Sequence, residues 1–444
     1  MLKTFSKGGV HPPENKLSES IAIKILALPK TVSIPISQHI GSPATVIVKR
    51  REKVKVGQII AKTSGFISAN IHSSVSGTVT KIDKVMDGTG YKNTSIIIKV
   101  AGDDWMENID KSQELKKDIT LNSQQIIDKV LDCGIVGLGG ATFPSHVKLS
   151  IPKGQKADVL IINGVECEPY LTADHRLMLE KGEEMMVGIE ILKKALNVKR
   201  AIIGIENNKK DAISHIEKLC KNYDGSEVVS LQVKYPQGGE KQLIKAVINR
   251  EVPSGGLPIH VGAVVHNVGT AFAVYEAIQK NKPLIERVVT VTGTPLKKTY
   301  NFMARIGVSL EEIIEASGGM PEDTGKIISG GPMMGKALNT IDVPMTKGTS
   351  GVLLIPKKDA KRRKIEVCIR CAKCVSVCPM GLEPYLLMTL TEKKMFENLE
   401  EEKTMDCIEC GSCSYICPSN RPLLDYIRLG KLEVGKIMSK ENNF

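Results

Sequence analysis

At 444 residues the chain is too long for one hydrophobic core, so it is expected to form three or four domains. Its 42% hydrophobic residues include no run near the ~18 needed to cross a bilayer. The opening "MLKTFSKGGVHPPENK" has no apolar secretory core, which predicts a cytosolic chain. A net charge of +12 with only 4% aromatic residues points to acidic proteins or anionic headgroups as partners rather than to nucleic acid.

In chain order, residues 1–40 read as a polar, proline-rich segment that wraps onto something else. Short β patterns over 41–100 ("ATVIVK", "VKVGQIIAK", "NIHSSVSGTVTKI"), with Gly57 and Gly77 at turns, are similar to a biotinyl/lipoyl-type barrel-sandwich. The Met-Lys-Met turn of cofactor-carrying relatives is missing, so the module reads as structural or docking. After a polar linker, 115–285 alternates helix and strand, which predicts a largely parallel sheet. A helix is expected over Ser123–Cys133 with Ser123 as its cap. Strands are expected at Ala157–Asn163, Arg200–Glu206 and Glu227–Tyr235, and helices at Asp174–Leu196 and Asn208–Asn222. Residues 286–335 look like a β-grasp module, 336–365 a basic linker ending in "PKKDAKRRK", and 366–430 a two-cluster ferredoxin-type domain. Residues 431–444 read as a tail. The fold class is thus multi-domain, α/β plus β, with a helical iron–sulfur end.

Eight of the eleven cysteines lie between Cys368 and Cys417, in two copies of C-x2-C-x2-C-x3-C-P. Three thiolates from one turning loop suit a [4Fe–4S] cube, and in two-cluster ferredoxins the cysteine before proline serves the other cube. One cluster would take Cys368, Cys371, Cys374 and Cys417. The other would take Cys407, Cys410, Cys413 and Cys378. Paired zinc sites are the alternative, but the repeated Cys-Pro spacing fits cubes. Cys133 and Cys220 fall at helix ends as small buried residues, and no histidine spacing suggests a metal site.

Three further segments carry ligand-binding features. "GLGGATFPSHVK" (Gly137–Lys148) is a glycine loop with a lysine, suited to a phosphate. It precedes a strand rather than following one, and alone it equally fits a glycine turn before a buried Phe-Pro. "INGVECEPYLTADHR" (Ile162–Arg176) and "YPQGGEKQL" (Tyr235–Leu243) follow strands, where α/β sheets bind ligands.

With "VVHNVGTAF" (Val264–Phe272), this combination resembles the NADH-oxidising flavoprotein subunit of respiratory complex I. The resemblance implies that Gly137, Gly139, Gly140 and Lys148 hold the phosphate and ring of FMN. It implies that Asn163, Gly238, Glu240 and Asn267 line the flavin site, and that Phe143, Glu166 and Glu168 contact NAD(H), the two glutamates catalytically. Leu138, Cys167 and the second cluster motif depart from that family. The opening "FSKGGVHPPENK" and the order of modules resemble instead the C subunits of Rnf complexes. Those are membrane ion pumps that exchange electrons between ferredoxin and NAD. That resemblance implies a peripheral, cytoplasmic-side subunit with two [4Fe–4S] clusters and FMN, NAD(H) as substrate, and the other Rnf subunits, including a ferredoxin-like one, as partners. A cobalamin reductase of propanediol-utilisation compartments and a non-catalytic electron relay are the alternatives.

Overall fold

The computed structural model describes residues 2–441. Its first β unit begins at Thr31 rather than at residue 41. In Thr31–Pro35 the alternation of Val32 and Ile34 into the core makes a strand, which pairs antiparallel with Lys92–Val100. A four-stranded sheet and a three-stranded sheet then face each other across Ile60, Ile71, Ile96 and Ile98. Gly57 does occupy a turn, at φ +85°. Gly77 instead opens the strand Gly77–Met86.

The central α/β unit has a four-stranded, fully parallel sheet. Its order is Ser226–Leu231, Arg200–Glu206, Val159–Asn163, Ala263–Asn267. From Val159–Asn163 the chain winds first to one side and then crosses to the other. The topological switch therefore lies between Val159–Asn163 and Ala263–Asn267, where ligands of such sheets bind at the carboxyl edge. The strand expected over Glu227–Tyr235 stops at Leu231. Beyond it the backbone bonds instead to the amino-terminal segment.

Several local expectations are corrected. Asn122, not Ser123, caps the first helix of this unit (Ser123–Asp132), and it forms a reciprocal capping box with Gln125. The single helix expected over Asp174–Leu196 is two, Ala173–Glu180 and Gly182–Leu196, broken at Lys181. Gly182 opens the second, where a Cβ would lie 2.8 Å from the His215 ring.

The stretch read as a linker carries a core strand. Gly351–Pro356 sits inside a six-stranded mixed sheet, between Glu286–Thr292 and Thr324–Ser329. Its residues Val352, Leu353 and Leu354 are wholly buried, and so apolar a run cannot stay in water as a linker. Ile23–Ile25, from the amino-terminal segment, forms one edge of the same sheet. Of the supposed tail at 431–444, the part up to Glu441 is helical, because the helix Leu423–Glu441 packs on Pro384–Glu392 and buries Leu423, Ile427 and Val434, while residues 442–444 lie outside the described residues.

One buried cation joins three units. The Lys347 ammonium donates to the carbonyls of Asn70 (2.9 Å) and Gly134 (2.7 Å), and burial pushes its pKa down to about 7. Its own backbone N–H donates to Gln38.

Leu353→Ala tests the reassigned strand. A linker residue would tolerate the change, whereas a buried central-strand leucine should cost about 2–5 kcal/mol. The expected readout is a clearly lowered denaturant midpoint.

Candidate functional site: a nucleotide crevice against a cysteine cavity

Asn163 and Asn267 end neighbouring strands and are register partners, which places both at the switch point. Asn163 donates to the Gly238 carbonyl (2.9 Å). Asn267 accepts from the Gly269 amide (2.8 Å) and donates to the Asp174 carboxylate (2.6 Å). The glycine loop arches over this edge. Gly137 N–H donates to the Phe143 carbonyl, and a Cβ on Gly139 would come within 3.0 Å of Asn267 Cβ. Gly140, at φ +149°, has open space where a Cβ would point, and Gly139 to Ala141 are exposed. Lys148 bonds Glu240 (2.7 Å) and the Val265 carbonyl (3.1 Å), leaving one of its three ammonium protons for a ligand. The structure thus brings Gly137, Gly139, Gly140, Lys148, Asn163, Gly238, Glu240 and Asn267 to one edge. An open glycine cradle with a lysine beside it fits a phosphate-bearing cofactor.

The two glutamates are set differently. Glu166, at φ +47°, turns its carboxylate onto the amides of Asp174 (2.8 Å) and His175 (3.2 Å), at the start of Ala173–Glu180. There it complements the helix dipole and fixes Asp174, which in turn holds Asn267. Burial first, and the charge of Glu166 second, push the Asp174 carboxyl up to about 7. The half-buried Glu168 accepts from the amides of Met333 (3.1 Å) and Met334 (2.7 Å), gripping a loop of the six-stranded-sheet unit. Burial pushes its carboxyl up to about 7, and the two amides only partly offset this. Gly331 is required below it, since a Cβ would lie 2.2 Å from Glu168 Oε2.

At the other end, Cys378, Cys407, Cys410 and Cys413 line one cavity, closed by Leu382, Leu387 and Ile427. Burial raises the Cys413 thiol to about 12, and the neighbouring Cys407, Cys410 and Cys378 push in the same direction. Cys374 is raised by burial, with Cys417 adding to the shift, while Cys368 and Cys371 are exposed. The structure therefore draws each Cys-Pro cysteine towards the opposite motif. No group of three or more potential ligands among the described residues is gathered tightly enough for one metal ion. A cube bonds each thiolate to a different iron, so four sulfurs around a cavity suit it.

Tyr235 joins the two sites. It is 2% exposed, its hydroxyl donates to the Cys410 carbonyl (2.8 Å), and its phenol stands beside Glu168. Val10, Cys167, Met333 and Val377 pack around it. Tyr235, Asp174 and Lys16 were not picked out from the sequence as site residues. Each lies inside a quoted motif, but nothing in residue type or spacing marks it.

Glu168 makes a pH signature. Its folded pKa is raised, so its contribution to stability is full below the unfolded carboxylate value and is lost as pH rises through about 7. Thermal scans between about pH 5 and 8 should show a falling melting temperature, with a shallower fall for Glu168→Gln.

Four family profiles match the chain in succession. They are the RnfC barrel sandwich hybrid domain at residues 4–103, the Nuo51 FMN-binding domain at 130–276, the SLBB domain at 288–337 and a 4Fe-4S dicluster domain at 360–418. The C subunit of the proton-translocating ferredoxin:NAD(+) oxidoreductase complex of Clostridium ljungdahlii is 47% identical, over 98% of this chain and 94% of that one. Its counterpart in the Na(+)-translocating complex of Acetobacterium woodii is 44% identical, over 96% of each chain. The C subunit of the ion-translocating oxidoreductase complex of Rhodobacter capsulatus is 38% identical, over 99% of this chain and 85% of that one. Among solved structures, an NAD+-reducing [NiFe]-hydrogenase aligns at a TM-score of 0.49 and 18% identity, covering 70% of this chain and 61% of that one. With identity sustained across nearly its whole length, the chain belongs to the family of C subunits of ion-translocating ferredoxin:NAD(+) oxidoreductase complexes.

Proposed function

We propose that this chain is the peripheral, NAD(H)-reactive flavoprotein subunit of an ion-translocating ferredoxin:NAD+ oxidoreductase, held at the cytoplasmic side of the membrane by partner subunits. The observation that carries the reading is the junction at Tyr235, where a nucleotide crevice and a four-cysteine cavity share one buried side chain. FMN, when bound, supplies the exchange between two-electron chemistry at nicotinamide and one-electron chemistry at the clusters. Gly137, Gly139, Gly140 and Lys148 would hold its phosphate and ring, with Asn163, Gly238, Glu240 and Asn267 lining the site. Phe143 and Glu168 would face the nicotinamide nucleotide. Glu166 would act on that nucleotide through the helix start it holds, by way of Asp174 and Asn267. Cys378, Cys407, Cys410 and Cys413 would hold the cube nearer the flavin, and Cys368, Cys371, Cys374 and Cys417 the outer one. The sheet built around Glu286–Thr292 and Gly351–Pro356 is read as a β-grasp.

Partner contact is assigned to the outer motif. Cys368 and Cys371 are exposed there beside Val367 (81% exposed) and Ile369 (68%), next to the basic stretch 357–364. That combination suits an acidic electron-carrying subunit, whose binding should weaken as salt rises. No helix among the described residues is long and apolar enough to cross a membrane, which fits attachment through such partners.

Anaerobically purified protein should carry about eight iron atoms per chain and a flavin absorption band that NADH bleaches. Iron without flavin would leave only an electron relay. Cys417→Ala should disturb the EPR signal of the cube on Cys368, Cys371 and Cys374 and spare the other. Loss confined to the cube on Cys407, Cys410 and Cys413 would refute the exchanged ligation.

Lys148→Ala should weaken FMN retention while leaving the iron content unchanged, since the clusters sit in a separate unit. Flavin quantitation after gel filtration measures this.

A further inference from the structure

The opening motif "FSKGGVHPPENK" takes part in none of the chemistry above, yet it touches every unit that does. Near the start, Lys3 pairs with Leu231 at the sheet edge, and its carbonyl accepts from Gln232 (2.9 Å). Phe5 is buried under Lys234, whose ammonium stands 4.2 Å from the ring centroid and donates to the Phe5 carbonyl. Gly8 and Gly9 then press on the cysteine domain. Gly9 N–H donates to the Val377 carbonyl (2.9 Å), and a Cβ on Gly8 would lie 2.5 Å from the carbonyl carbon and oxygen of Cys378. Both glycines have positive φ, +68° and +95°, so side chains are excluded by conformation as well as by space.

One residue further on, Val10 and Tyr235 exchange backbone hydrogen bonds of 2.8 and 2.9 Å. The same Tyr235 hydroxyl holds the Cys410 carbonyl. The Glu14 carbonyl accepts from the Tyr170 amide (2.8 Å). The Lys16 ammonium is enclosed by three carbonyls of the acidic loop, those of Glu166 (2.8 Å), Glu168 (2.9 Å) and Leu171 (2.8 Å), which uses all three of its protons. Ser18 closes the run on Thr172 at 2.6 Å.

We propose that Gly8–Lys16 is a strap that sets the spacing between the nucleotide crevice and the Cys378–Cys410 cavity, with Gly8, Gly9 and Tyr235 as positioning residues for electron transfer across that gap. The inference rests on the cofactor placement under Proposed function. Within some nine residues the strap grips the backbone beside one cavity cysteine, the tyrosine bonded to another, and the loop carrying both glutamates. No other described segment bonds to all three. The cysteine domain also meets the other units through Gln242 on Met380 (3.2 Å), Gly411 near Met333, and Asp406, which accepts from the Ser254 hydroxyl and the Gly255 amide (3.3 Å) and pairs with Lys241 (3.9 Å), but none of these bonds the backbone beside Cys378. Transfer between centres falls steeply with their separation, so a rocking domain would transfer slowly. The reaction served is balanced: NADH loses a hydride and becomes NAD+, its two electrons reduce the two cubes by one each, and one proton is released.

Two variants of the full-length protein test this, Gly8→Ala and Tyr235→Phe. Hydrogen exchange should show faster labelling of peptides spanning residues 8–16 and 375–381 in Gly8→Ala, and of 407–413 in Tyr235→Phe. Stopped-flow mixing with NADH should leave flavin bleaching at the wild-type rate while cluster reduction, followed by freeze-quench EPR, slows several-fold. Wild-type cluster reduction in either loaded variant would overturn the strap. Loss of iron from Gly8→Ala alone leaves the decision to Tyr235→Phe, which removes a single hydroxyl. Loss of iron from both would also overturn it, because the segment would then serve cluster assembly. A wild-type protein lacking flavin or half its iron would instead refute the cofactor placement, a result distinguishable from failure of the strap.

Discussion

The structure depends on one buried side chain at a three-way boundary. Tyr235 is held by Val10 through its backbone and by Cys410 through its hydroxyl, and it has Glu168 alongside. A buried phenol must find a hydrogen-bond partner, and here the partner is the backbone of a cysteine loop in another unit. That requirement ties a nucleotide-binding sheet to an iron–sulfur domain. Met333 and Val377 fill in around the ring, so the contact is also apolar and excludes water.

Around this junction the charges are arranged to brace loops rather than to stand free. Glu166 holds a helix start, Glu168 holds the Met333–Met334 loop, and Lys16 holds the loop that carries both. Each carboxylate accepts two backbone amides, which orient it, and for Glu168 they only partly offset the cost of burial. The consequence is a crevice whose walls come from three units and whose edge, at Asn163 and Asn267, is held by Asp174 and Gly238. Gly139, Gly140 and Ala141 are exposed on that rim and leave it open to approach.

How much of this was legible beforehand depended on whether the signal was local. Cysteine spacing and the β-branched runs of the parallel sheet are contained in short windows, and they were read with their element type correct or nearly so. The strand Gly351–Pro356 was missed although its run of apolar residues was visible, because the basic stretch after it suggested a linker. The polar stretch from residue 431 reads as a tail for a similar reason, although it continues the helix Leu423–Glu441. Its lysines and glutamates alternate with Ile427 and Val434, whose burial needs a partner helix that local pattern does not reveal.

The sequence by itself determined the chemistry: two cysteine quartets, a glycine loop with its lysine, and strand ends bearing asparagine and glutamate. Those depend on residue type and short spacing, which a linear chain displays directly. Only the tertiary structure decided which groups stay open and which hold the frame. Glu166 and Lys16 have the chemistry of ligands and are spent on backbone amides and carbonyls. Tyr235 and Asp174 look ordinary and sit at the centre. Such roles are fixed by partners roughly 90 to 175 residues away, Asn267 for Asp174 and Cys410 for Tyr235, and separations of that size leave no trace in a local pattern.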